Sequence, residues 1–200
     1  MGGGPFETGG ATGTCTSEPG SGGATGAGAG CGSEICPTSG TMLGAGDKVP
    51  CELAMSRASN ETRRIFDAWL ALRSPKGEAP SLTAWDASGS VPDLQSSMLV
   101  TKVLVDKHDY LYLRLGTRAA ALRGYDPTGK TVRDIYTGDS LAFVLENYDL
   151  AVSHPCGIVD FSVDIVPDDR HVELETLLLP LSNSGGKPSH VLVYGHYITK

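Results

Sequence analysis

The stretch DYLYLRLGTRAAALRGYDPTGKTVRDIY, residues 109–136, decides how the rest of the chain is read. Tyr110, Leu111, Tyr112, Leu113 and Leu115 are strand formers suited to a pleated, half-buried surface. Gly116 ends the run at a sharp corner, and Thr117 is placed to cap the helix that Ala119, Ala120, Ala121 and Leu122 favour. Gly124 stops that helix in a left-handed conformation. Asp126-Pro127-Thr128-Gly129 is turn chemistry, with Pro fixing one φ and Gly free to take a positive one; another helical turn follows. No step of the stretch offers a nucleophile with its base, a metal-ligand cluster or a phosphate loop.

Working outward, Met98 to Val105 is rich in Val and Leu and reads as a strand. Lys107-His108-Asp109 turns it into Tyr110–Leu115, giving a hairpin. Downstream, Asp139 or Ser140 caps a longer helix. Its apolar stripe is Leu141, Val144, Leu145, Tyr148 and Val152, with Glu146, Asn147 and Asp149 expected in water. Pro155 stops it. In Val159–Ile165, Val159, Phe161, Val163 and Ile165 alternate with Asp160, Ser162 and Asp164, which predicts one buried and one wet face. Pro167-Asp168-Asp169 turns the chain into His171–Leu181, and Asn183-Ser184-Gly185-Gly186 turns it again into Val191–Ile198. Paired acids in such a turn read as solvated rather than catalytic. Residues 98–200 are thus an α+β core: a five-stranded antiparallel sheet with helices packed on one face.

The N-terminal part divides in two. Residues 1–54 are dominated by Gly, Ala, Ser and Thr, and predict a disordered tail that cannot offset its chain entropy by burial. A start assigned too far upstream of Met55 is the other reading. Residues 55–97 hold a helix and a connection. Asn60 or Ser59 caps the helix, which runs to about Arg73, and Ile65, Phe66, Trp69 and Leu72 fall on one face. That face either packs on its own domain or pairs two chains into a homodimer. Trp85 and Leu94 anchor the Pro-rich connection to the core.

The formal charge is −7. Glu7, Glu18, Glu34, Asp47 and Glu52 against Lys48 leave −4 in the tail, so the rest carries −3. A mildly acidic domain argues against nucleic-acid binding, which needs a basic stripe. Of five cysteines, Cys15, Cys31, Cys36 and Cys51 lie in the tail and Cys156 in the domain. They form no C-x-x-C, so reduced thiols are expected rather than zinc. The N-terminus lacks the basic start and apolar core of a secretory signal, and no run reaches the ~18 apolar residues of a membrane span. A cytoplasmic soluble protein is the expectation.

The order of elements and the wording together resemble the PAS domain family, in particular a bacterial subfamily of mostly single-domain proteins. The matching pieces are WLALR (69–73), YLYLRLGT (110–117), LRGYDPTGKTV (122–132), LLLPLSNSGG (177–186) and VLVYGHYI (191–198). One departure stands out: the subfamily often carries Arg three places before the Gly-Thr, where this chain has Leu113, with Arg114 next to it. The resemblance implies a non-catalytic sensory or regulatory domain in bacterial signalling, binding a small molecule or a protein partner. The alternative is a pure interaction or dimerisation module with a filled core. A ligand pocket would lie between the sheet and the long helix, near Tyr112, Phe143, Tyr148, Phe161, Val163 and Tyr194. The cofactor is left open. His196 is the histidine best placed for haem and Cys156 the cysteine nearest a flavin site, but neither haem nor flavin is expected, and Cys156 reads as a buried structural thiol.

Overall fold

The hairpin predicted from Met98 onward is present as β2 (Met98–Leu104) and β3 (Asp109–Leu115), joined by a short 3₁₀ turn that ends at His108 in the left-handed region. The computed structural model describes residues 47–165, 171–184 and 186–198. Before the hairpin come β1 (Asp47–Pro50), α1 (Cys51–Ala54), α2 (Asn60–Ala71) and α3 (Leu82–Ser88). After it come α4 (Thr117–Arg123), α5 (Val132–Ile135), α6 (Gly138–Ser153), β4 (Ile158–Ile165), β5 (His171–Leu181) and β6 (His190–Ile198). The strands form one antiparallel sheet in the order β1-β4-β5-β6-β2-β3.

The sheet has six strands, not the five expected. The sixth, β1, lies inside the segment assigned to the tail, which therefore reaches too far: Cys51 and Ala54 are fully buried. A Gly-rich window hides it, because an edge strand needs only a neighbour's backbone groups. Val49 faces Val159, and the Cys51 amide donates to the Gly157 carbonyl at 3.2 Å. Lys48 reaches the other way, its side chain 1% exposed, to pair with Glu146 of α6. The disorder expected of residues 1–46 lies outside the described residues.

Helices cover both faces of the sheet, not one. On the first face Ile65, Phe66 and Trp69 of α2 and Trp85 of α3 pack on Met98, Val100, Leu177, Leu179, Leu192 and Tyr194. On the second, Val132 of α5 and Leu145, Tyr148 and Ala151 of α6 pack on Leu99, Tyr110, Tyr112, Leu178, Val191 and Val193. Two covered faces account for the run Leu177-Leu178-Leu179, apolar on both sides.

This also settles where the stripe on α2 goes. Ile65, Phe66 and Trp69 are 0%, 6% and 0% exposed within the single chain, and Leu72 is half-buried against the same core. The Trp69 indole N–H donates to the Pro180 carbonyl at 2.9 Å. Of the two readings of this stripe, the chain follows packing on its own sheet rather than pairing through these residues. Ser59 caps α2 by accepting from the Thr62 amide. The buried carboxylate of Glu175, on β5, in turn accepts the Ser59 amide at 3.0 Å and its hydroxyl at 3.1 Å, fixing the helix start to the sheet.

Local signals hold with small shifts. Gly116, not Thr117, caps α4, and Thr137, not Asp139 or Ser140, caps α6. Gly124 is left-handed as expected, and the Asp126 carboxylate accepts from the Thr128 amide in the predicted turn. In β4 the predicted faces fail. Asp160 is 1% exposed whereas Val163 is 52% exposed. Asn147, expected in water, is buried and donates to Asp160 at 3.1 Å. Alternation reports a wet face only when nothing covers it, and here α6 does.

Candidate functional site

A break in β3 creates the site. Tyr110 and Tyr112 both face α6, so unbroken alternation would send Arg114 the same way. Instead the register shifts: Thr101 lies opposite Tyr112, but Val100 lies opposite Arg114, leaving Leu113 as the extra residue of a bulge. Arg114 is thereby turned to the α3 face. It ends a row across the sheet that runs Leu179, Leu192, Val100, Arg114.

A cleft of about 350 Å³ opens over this end of the sheet. Its floor is Met98, Val100 and Leu192, and Trp85 forms a wall. At the mouth the Arg114 guanidinium forks onto Asp86 of α3, one nitrogen donating to Oδ2 at 3.1 Å and the other to Oδ1. Gln95, Leu115 and Gly116 complete the lining. Gly116 is needed here: a Cβ would stand 2.3 Å from the Ser96 carbonyl oxygen, so only glycine lets β3 meet the short 3₁₀ turn Gln95–Ser97. Ser81 positions α3 by accepting from the Ala84 amide, and the Leu82 amide donates to the Ser182 carbonyl at 2.9 Å. The arrangement can take an apolar body on the floor and a charged or polar group at the mouth.

Beneath α6 the chemistry is different. The Tyr110 and Tyr148 rings stack with centroids 4.5 Å apart, and the Tyr110 hydroxyl donates to Asp149 at 2.6 Å. The Arg123 guanidinium lies 5.9 Å from the Tyr112 ring and donates to the Tyr136 hydroxyl at 3.0 Å. Burial pushes the phenols of Tyr110, Tyr112 and Tyr148 well above the usual tyrosine range, so they stay protonated near neutral pH.

The six residues expected around one pocket are divided between two faces. Tyr112 and Tyr148 meet beneath α6. Phe161 and Tyr194 belong to the opposite core, Phe161 carrying the Arg57 guanidinium 3.8 Å above its ring. Phe143 holds the Lys48 ammonium at 4.4 Å, and Val163 is exposed. Trp85 was legible as an anchor, but Asp86, Gln95, Met98, Val100 and Leu192 were missed as site residues. The available signal was the displaced arginine beside Gly116-Thr117. His196 is half-buried on β6, 3.4 Å from the Tyr194 hydroxyl, whose pKa burial pushes up to about 12. Cys156 is buried and receives the Arg73 guanidinium at 3.1 Å. Among the described residues no group of three or more His, Cys, Asp or Glu could hold a metal ion, and no helix is long and apolar enough to cross a membrane.

In comparison with known proteins, no family model, no curated sequence and no solved structure matches this chain.

Proposed function

We propose that the chain is a non-catalytic regulatory domain of the PAS type, acting in bacterial signalling, and that its input is a small molecule held in the cleft between α3 and the β2–β3 hairpin. The cleft itself carries this reading: about 350 Å³, an apolar floor and a polar mouth fit a small-ligand site. The PAS assignment is supported by the order hairpin, short helices, long helix and three-strand meander, which is the order of the resemblance. A second reading, an interaction module without a ligand, draws on the closely packed tyrosines beneath α6.

Native mass spectrometry of the freshly purified protein tests the two. A retained small-molecule mass that disappears in Gln95→Trp, which plugs the exposed mouth, supports the sensor. A bare mass, with Gln95→Trp leaving partner capture unchanged, favours the interaction module.

A further inference from the structure

We infer that the ligand of this cleft is a compact apolar carboxylic acid whose carboxylate takes the Arg114 fork from Asp86; the inference rests on the cleft being a ligand site. The volume, about 350 Å³, lies at the small end of ligand sites and leaves room for a small aryl or branched aliphatic acid. Met98, Val100 and Leu192 are at most 6% exposed and Trp85 is 3% exposed, so the inner end offers dispersion and ring stacking and little for a polar group.

Charge selects the other end. Of the lining residues only Arg114 and Asp86 are charged, and they hold each other with side chains 51% and 42% exposed. A planar guanidinium presents a fixed fork that fits a carboxylate two-to-two. The two partners are not held alike. Arg114 is on a sheet strand, and the bulge at Leu113 sets its direction. Asp86 is in the second half of a seven-residue helix that is tied at its start through Ser81 and Leu82 and ends at Gly89. A ligand carboxylate is the like group that can replace Asp86 on the Arg114 fork, and a half-exposed pair contributes little that it must overcome. An ammonium group entering the same mouth would have to sit beside the Arg114 guanidinium, a like-charge contact that disfavours amines.

Isothermal titration of the full chain with phenylacetate, phenylacetamide and phenethylamine, each carried to about 10 mM so that weak fragments register, is the test. The expected result is heat from the acid, binding at least about tenfold weaker for the amide, and none for the amine. Arg114→Gln should weaken the acid at least about tenfold without moving the melting temperature by more than about two degrees. Asp86→Asn should strengthen it, roughly two- to tenfold, because the internal competitor is gone. A pair that merely holds α3 in place would weaken the acid alike in both variants, and that result overturns the inference. So does an amide or amine that binds as well as the acid. If that binding is lost in Gln95→Trp, the carboxylate class has failed while the cleft remains a ligand site. No heat from any of the three overturns the carboxylate assignment, and the retained-mass measurement then judges the cleft separately.

Discussion

Asp160 is the residue at which charge and burial conflict most plainly. Burial raises its pKa above the ordinary 3.8, and the Asn147 amide and the Lys48 charge oppose that shift without cancelling it. The folded protein therefore holds the Asp160 proton more tightly than the unfolded chain does. Its contribution to stability is present at low pH and is lost as pH rises from about 3.8 through the higher folded value. Asp160→Asn keeps the shape and removes the charge. Its melting temperature, relative to the unmodified protein, should climb as pH rises above about 3.8 and level off once pH passes the raised folded value. A difference that stays flat over that range would show that Asp160 is not destabilised by burial. Gly116 makes a second test at this scale. Gly116→Ala forces a Cβ onto the Ser96 carbonyl and should cost about 1–3 kcal/mol in urea unfolding. Full stability in Gly116→Ala would mean that the Gln95–Ser97 turn yields, and that the cleft is softer than its walls suggest.

Among the elements, α2 and β1 depend on single partners across the sheet. Glu175 is 1% exposed and accepts both the amide and the hydroxyl of Ser59 at the start of α2. Glu175→Ala leaves the half-buried Ser59 amide without its acceptor and the Ser59 hydroxyl with Thr62 alone, so unfolding should be easier by about 1–3 kcal/mol. Amide exchange should quicken first in the opening turn of α2; uniform quickening across the sheet would instead point to a general loss of packing. The strand β1 makes a similar prediction. A chain beginning at Met55 lacks the β1 ladder, the Lys48–Glu146 pair and the buried Cys51 and Ala54. It also leaves β4 as an open edge, a template for unwanted pairing. Loss of about 2 kcal/mol would lower the melting temperature by roughly 5 °C, and the truncated chain should aggregate more readily. An unchanged melt would show that β1 adds nothing to the fold.

For the whole molecule, the point at issue is what α2 does. An apolar stripe of Ile65, Phe66, Trp69 and Leu72 has the same sequence whether it meets a second chain or the chain's own sheet. Trp69 is fully buried and bonded to Pro180, so Trp69→Ala should cost about 3–5 kcal/mol and lower the melt sharply, rather than release a stable folded monomer. Sedimentation and thermal melts of Trp69→Ala distinguish the two outcomes. The sequence by itself determined the elements after residue 97: the hairpin, the Gly124 stop, the Asp126–Gly129 turn, the long helix and the three-strand meander. Those follow from period, propensity and turn chemistry, which act over a few residues. It also placed Trp85 and Leu94 in the core, since large apolar side chains in a polar connection have few other places to go. Only the tertiary structure decided which surface each stripe meets. A period-two strand looks the same whether its polar face is wet or lies under a helix, so Asp160 and Asn147 were misplaced. The strand β1 has no signal of its own, because its stability comes from β4. The bulge at Leu113 cannot be read from YLYLRLGT, because a one-residue shift is set by how β2 and β3 pair. That shift, fixed by pairing rather than by composition, turns Arg114 from the long-helix face to the cleft.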